Sequence, residues 1–517
     1  MDALIRKEDR MKVLKLLGCL GLLACMLAGC GGGGTVVETT EADTTVADTT
    51  EEVISLTELE NGLSHSKSYY TNKLCDGTAD PFILEHEGTY YLYCTGGSKY
   101  YVHTSKDLVH WTKQETPILQ LTETGWAKEK GWAPEVYEYN GKFYFIFSAK
   151  GEEYHSIDIA VCDTPNGKFK TLKRGKPFYS PEFSVIDASL FFDDDGRIYF
   201  YYSKDNSTNY VDGKRTSQTW GVEVKSDFSG MIGEPILIST PEYPWELKSG
   251  SVVWNEGPVV FKENGKYYLL YSANYYVSEH YSVGYATSDS PLRFFDKTKD
   301  SRILAGNGDT VTGPGHCNIL RSPDGSEIYV VYHVHTVPPN TDKGRSLAID
   351  RLIVHEDGTL SIDGPSEVRR PLPSGLNGYY HLNSGFTYAG EGEKAEFASK
   401  SDIKFLFDGN AMVRLTDLYS LDEGGSVEIK TDKPENIVSV WVYPALFEDY
   451  YPGSIDLEIN GQYVIKDMVF RGSNGNPVVF NLGNLPEGTL VESLKVTVHL
   501  ADGKQYAGLA EIIMITQ

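Results

Sequence analysis

Five short segments of this chain are built alike: an ionisable head, an apolar run, a polar turn containing Gly, and a second run rich in aromatics. They are DPFILEHEGTYYLYCTGG from 80, WAPEVYEYNGKFYFIFSAK from 132, VIDASLFFDDDGRIYFYYSK from 185, EGPVVFKENGKYYLLYSAN from 256 and GPGHCNILRSPDGSEIYVVYHVH from 313. Their heads supply Asp80, Glu135, Asp187, Glu256 and His316. A carboxylate at the mouth of a strand made for burial costs stability unless it is paired or used. Two carboxyl groups flanking one bond can cleave a glycosidic link. One, kept protonated, donates to the leaving oxygen; the other, ionised, activates water. The first needs its pKa raised by burial or by a neighbouring negative charge. A ring of acids supplies that neighbour without a metal.

Converging such residues requires a repeated scaffold. Each segment reads as a β-hairpin, and the turn glycines fall at 88, 141, 196, 265 and 325, a loose period of one sheet per unit. Five such units predict an all-β protein with a five-bladed β-propeller over residues 65–370. A blade cannot bury its faces alone, so blades pack radially and the starts of their innermost strands meet in one funnel.

The set Asp80-Pro81-Phe82, Trp132-Ala133-Pro134-Glu135, Val185-Ile186-Asp187, Glu256-Gly257-Pro258 and Gly315-His316 resembles glycoside hydrolase family 43, over roughly residues 75 to 365. The resemblance implies a five-bladed propeller acting on arabinofuranosyl or xylosyl linkages of plant-type polysaccharides with inversion. It implies Asp80 as general base, Glu256 as general acid and Asp187 as the residue that orients and raises the acid. Inversion needs the two carboxyl groups about 6.5–9.5 Å apart. No cofactor is implied as required. His316 resembles a channel histidine that touches substrate and faces a calcium ion through waters. Glu135 matches a place where many members carry an acid with no fixed catalytic part, and is read as substrate contact or structure. Arg351 comes where members often carry a basic residue reaching the site, with a neutral surface role the alternative. Trp132 and Trp254 flank the acids and are read as sugar-stacking or as packing. Tyr275 and Tyr276 are assigned to packing.

From Met11 the chain runs MKVLKLLGCLGLLACMLAGC, with Cys30 closing a lipobox-like Leu-Ala-Gly-Cys. Residues 1–29 therefore read as a lipoprotein signal peptide, with lipidation at Cys30 anchoring the protein to the outer face of a bacterial membrane. Residues 30–60, rich in Thr, Glu and Asp, read as a disordered tether. A net charge of −25 argues against a nucleic-acid partner, since phosphate contacts need clustered Lys and Arg; an oligo- or polysaccharide is the expected one. Cys75, Cys94, Cys162 and Cys317 show no disulfide or zinc spacing and are expected to be mostly buried and free. After Pro371, Pro373 and Gly375 the blade pattern stops. Residues 376–517 predict a β-sandwich, either carbohydrate-binding or a structural cap.

Two other functions stay open on these residues: a non-catalytic glycan-binding propeller, and a retaining, fructoside-acting five-bladed enzyme. Three carboxylates where neutral sugars would favour amides weigh against the first. The second usually carries Asn-Asp-Pro-Asn-Gly and Glu-Cys-Pro, which are missing here.

Overall fold

The computed structural model describes residues 52–53, 69–393, 402–412, 418–470 and 475–517. The signal peptide, Cys30 and most of the expected tether lie outside the described residues. Of that tether, Glu52–Val53 forms a two-residue strand parallel to Tyr463–Val464.

The five hairpins are the inner halves of five antiparallel sheets. The innermost strands are Phe82–His86, Glu129–Tyr139, Val185–Phe192, Asn255–Glu263 and Gly315–Arg321. Each pairs with the strand that follows its turn, and two outer strands complete the blade. The turn glycines 88, 141, 196, 265 and 325 all adopt positive φ, which the tight reversals require. Burial on both faces explains why the inner pairs read as continuous apolar runs: Phe145, Ile146, Phe147, Leu269 and Leu270 are wholly buried.

One irregularity recurs in all five blades. Between Trp132 and Glu135, Ile186 and Ser189, Glu256 and Val259, and Gly315 and Asn318, the inner strand spans three residues where its partner spans two. The first blade does the same: Thr95 N–H bonds Ala79 O at 2.9 Å, while Phe82 pairs with Tyr93. Each is a β-bulge with one residue in the left-handed region: Asp80 (φ 52°), Ala133 (38°), Asp187 (52°), Gly257 (59°) and His316 (53°). A left-handed conformation costs a non-glycine residue about 1–3 kcal/mol and re-aims its side chain. The equivalent positions are therefore these five. Glu256 stands one residue before its bulge and Glu135 two after, which corrects the simple equivalence of heads expected from sequence.

The ring is closed by the segment before the first blade. Cys75–Asp76 pairs with Ser346–Leu347 of the fifth blade, and Tyr69–Tyr70 pairs with Arg370–Pro371. The side chain of Asn72 donates to Ile349 O (3.0 Å) and accepts from Ile349 N–H (3.0 Å), also reaching Asp350 and Ser366.

The C-terminal module is a β-sandwich. The long strand Tyr419–Glu435 pairs with Ala507–Leu509 at its start and with Val491–Thr497 farther on, crossing from one layer to the other near Gly424 and Gly425. Between the layers Leu421, Val427, Ile429, Val440, Leu457, Val496 and Ile512 form one apolar core.

Asn72→Ala removes a bidentate clasp between the entering chain and the last blade. It is expected to lower unfolding free energy by about 1–3 kcal/mol, read from urea midpoints. An unchanged midpoint contradicts the closing role.

Candidate functional site

The bulges put their side chains into a hollow of about 540 Å³ at one end of the propeller. Where the bulge residue is Asp80, Asp187 or His316, that side chain lines the hollow. In the second and fourth blades the bulge residue is Ala133 or Gly257, and the residue before it lines the hollow instead: Trp132 and Glu256. Gly257 has a packing reason as well, since a Cβ there would lie 3.2 Å from His316 Nδ1.

Neighbouring blades lock these bulges together. Asp80 N–H donates to His333 Nδ1 (3.3 Å), Ala133 N–H to Thr95 Oγ1 (2.9 Å) and His316 N–H to Ser272 Oγ (2.8 Å). Thr95, His333 and Ser272 each stand opposite a bulge on the second strand of the adjoining blade. The Gly257 N–H instead lies close enough to the Asp187 carboxyl to favour its ionised form. Because His333 Nδ1 accepts, its proton sits on Nε2.

The carboxyl groups differ in surroundings. Burial pushes Asp80 up, but the Arg345 guanidinium first, then the His316 imidazole and the Thr95 hydroxyl, outweigh it and hold its carboxyl well below the usual range. Arg345 Nη1 lies 2.7 Å from Asp80 Oδ1, and Thr95 Oγ1 donates to Oδ2 at 2.5 Å. Glu256 has no such cation in contact. Burial, then the charges of Asp187, Asp205 and Asp80, hold its carboxyl well above the usual range, with Arg345 only partly opposing them. Asp187 lies between: burial raises it to about 6, opposed by His316 and by the Gly257 N–H. One hollow thus holds a carboxylate that stays ionised and a carboxylic acid that stays protonated.

Two expected site residues are elsewhere. Arg351 does not reach the hollow; it faces the C-terminal module, with Nη1 3.4 Å from Glu327 and close enough to Gly409 that a Cβ there would sit 2.7 Å away. Arg345 and Arg351 both lie on the strand Asn340–Val354, and six residues along it separate the first, at the hollow, from the second, beside Glu327 and Gly409. Arg345 is the basic residue at the site. Glu135 is buried beneath the wall, bonded by the Tyr137 hydroxyl. Burial raises its carboxyl to about 8, with Tyr137 opposing and Asp187 adding. Two residues past the bulge, it packs between blades and does not line the hollow.

Trp132 lines the hollow with its ring stacked on His155 (4.5 Å, 22°), and Trp254 is stacked on Tyr275 (5.2 Å, 25°). Tyr275 and Tyr276 are 42% and 41% exposed and line the mouth, which corrects their assignment to packing. Sequence reasoning missed Arg345, His155, Asp205, Arg215 and Tyr281, all on the wall. The segment from 206 to 220, which reads as a loop, instead holds a small rim sheet, Tyr210–Val211 and Lys214–Thr216, the latter parallel to Val252–Val253, and the start of the third blade's strand Gln218–Val224. The four internal cysteines are free, Cys94 and Cys317 buried and Cys75 and Cys162 partly so.

The channel residues do not suit direct calcium coordination. Among the described residues no three Asp, Glu, His or Cys groups converge as a cation site. The Asp80 oxygens beside His316 are already taken by Arg345 and Thr95.

Arg345→Met tests the ion pair. The depressed pKa of Asp80 stabilises the fold above the unfolded value of about 4 and is lost as pH falls through the folded value. The variant is expected to be less stable by about 3 kcal/mol at pH 7, with the gap narrowing only as pH falls below about 4 in urea titrations. A gap independent of pH contradicts the pairing.

Comparison with known proteins agrees with this geometry. The family model Glycosyl hydrolases family 43 matches residues 70–360. A β-D-galactofuranosidase of Aspergillus niger is 32% identical over 54% of this chain and 81% of its own length. An extracellular exo-α-(1→5)-L-arabinofuranosidase of Streptomyces chartreusis is 30% identical over 51% and 82%. The crystal structure of a thermostable family-43 glycoside hydrolase superposes with a TM-score of 0.56 at 40% identity, covering 59% of this chain and 99% of that one. The chain belongs to glycosyl hydrolases family 43, whose members are inverting glycosidases that need no cofactor.

Proposed function

We propose that this glycosidase cleaves arabinofuranosyl or xylosyl linkages in plant-type polysaccharides, with Asp80 as base, Glu256 as acid and Asp187 as the residue that tunes the acid. The opposite protonation of Asp80 and Glu256 over one hollow carries the reading. Glu256 gives its proton to the glycosidic oxygen as the bond to the anomeric carbon breaks. Asp80, ionised, takes a proton from the water that attacks the opposite face. The products are an alcohol and a sugar of inverted configuration. Asp187 adds negative charge beside Glu256 and so raises its carboxyl. The reaction routes no step through a metal; a cation near His316 would have to be held through water.

The names of relatives support furanosyl substrates and extend them to galactofuranosyl linkages. The lipobox supports export and anchoring of the enzyme through Cys30, which places polymeric substrate within its reach.

Glu256→Gln is expected to lower kcat on arabinan, xylan or aryl pentosides by about 10³-fold, and proton NMR of the first-formed sugar should show the inverted anomer. Turnover of no furanoside or xyloside by the intact protein contradicts the reading. In bacterial cells, labelled palmitate should enter the protein and not its Cys30→Ala variant; equal labelling contradicts the anchor.

A further inference from the structure

Resting on that reading, we infer that Tyr275, Tyr276 and Trp254 form a leaving-group platform, which takes a further sugar residue of the polymer beyond the cleaved bond. The three rings make one strip along the mouth. Trp254 stacks on Tyr275 (5.2 Å, 25°), Tyr275 meets Tyr276 edge to face (5.0 Å, 67°), and the Arg345 guanidinium lies 4.8 Å over Tyr276. Two adjacent tyrosines exposed to about two fifths at the rim of an acid-lined hollow leave apolar faces in water. Such patches commonly mark a binding surface.

The strip has a direction. Trp254 precedes Glu256 by two residues and lines the same hollow. A general acid must stand on the leaving-group side of the bond it protonates. Trp254 and the Tyr275 ring stacked on it therefore meet the sugar that departs, whose carbon-bound hydrogens pack on an aromatic face while its hydroxyls stay in water. Tyr276, between Tyr275 and the Arg345 that holds Asp80, braces the strip from the base side.

The platform is also held rigid. Asn274, wholly buried with φ 73°, gives both amide hydrogens to Trp245 O (2.8 Å) and His280 O (3.0 Å) and accepts from Lys248 N–H (3.0 Å). Tyr275 N–H bonds Ser249 Oγ (3.3 Å), and Tyr276 O meets His335 Nε2 (2.9 Å). One asparagine thus joins the loop before Trp254 to the turn that carries both tyrosines. An ordered aromatic surface loses little entropy on binding.

The experiment compares two substrates of the same glycone: a linear pentose trisaccharide and the corresponding glycosyl fluoride, whose leaving group has no ring to stack. In Tyr275→Ala the ratio of kcat/KM for trisaccharide over fluoride should fall at least tenfold, chiefly through KM. In the Glu256→Gln background, adding Tyr275→Ala should weaken trisaccharide binding by a similar factor in calorimetry. Tyr275→Phe, which keeps the ring, should restore both. A ratio and affinity unchanged by Tyr275→Ala overturn the platform while leaving the proposed reaction intact. Wild-type protein that turns over neither substrate overturns the reaction itself.

Discussion

A single backbone device, repeated in five blades, places the chemistry. One extra residue in the left-handed region sits at the mouth of every inner strand, and at three junctions its N–H is handed to the second strand of the adjoining blade. Each non-glycine bulge carries a local cost, so interlocking makes the ring collectively stiff. That stiffness lets Asp80, Asp187 and Glu256, spread over nearly two hundred positions, hold one geometry. The fifth blade uses His333 where three others use Ser and the first uses Thr. Its Nδ1 receives the first blade's Asp80 N–H and so closes the circle.

Stiffness alone would yield three similar acids. Composition around the ring separates them. Asp80 sits against Arg345, His316 and Thr95, whereas Glu256 shares its neighbourhood with Asp187 and Asp205. Both carboxyl groups are buried, so desolvation pushes both up; which partners oppose it decides the outcome. A cation 2.7 Å from one acid and like charges near the other draw the two protonation states apart, which acid–base division of labour requires.

The fivefold repeat, the hairpins and the acids were legible in sequence because strand alternation, turn glycines and ionisable heads all repeat. The register of the heads was not, since a bulge inserts one residue without any marker in composition. That is why Glu135 looked equivalent to Asp80 yet ends beneath the wall with Tyr137. Arg351 was mistaken for the basic site residue for a related reason: nothing in the letters says where along a fifteen-residue strand the channel mouth falls. His155 opens a third strand, Tyr281 stands just before one and Arg345 is the sixth residue of another, where no motif points. The exposed tyrosines belong to a short turn whose direction depends on Asn274.

The claim on which all of this rests is that one carboxyl in the hollow is held ionised while its partner is held protonated. The pH dependence of kcat/KM measures those two states in the free enzyme. The expected profile is a bell whose acid limb lies well below the ordinary carboxylate range of about 4 and whose alkaline limb lies well above it. Two limbs that both fall within that ordinary range would contradict the account.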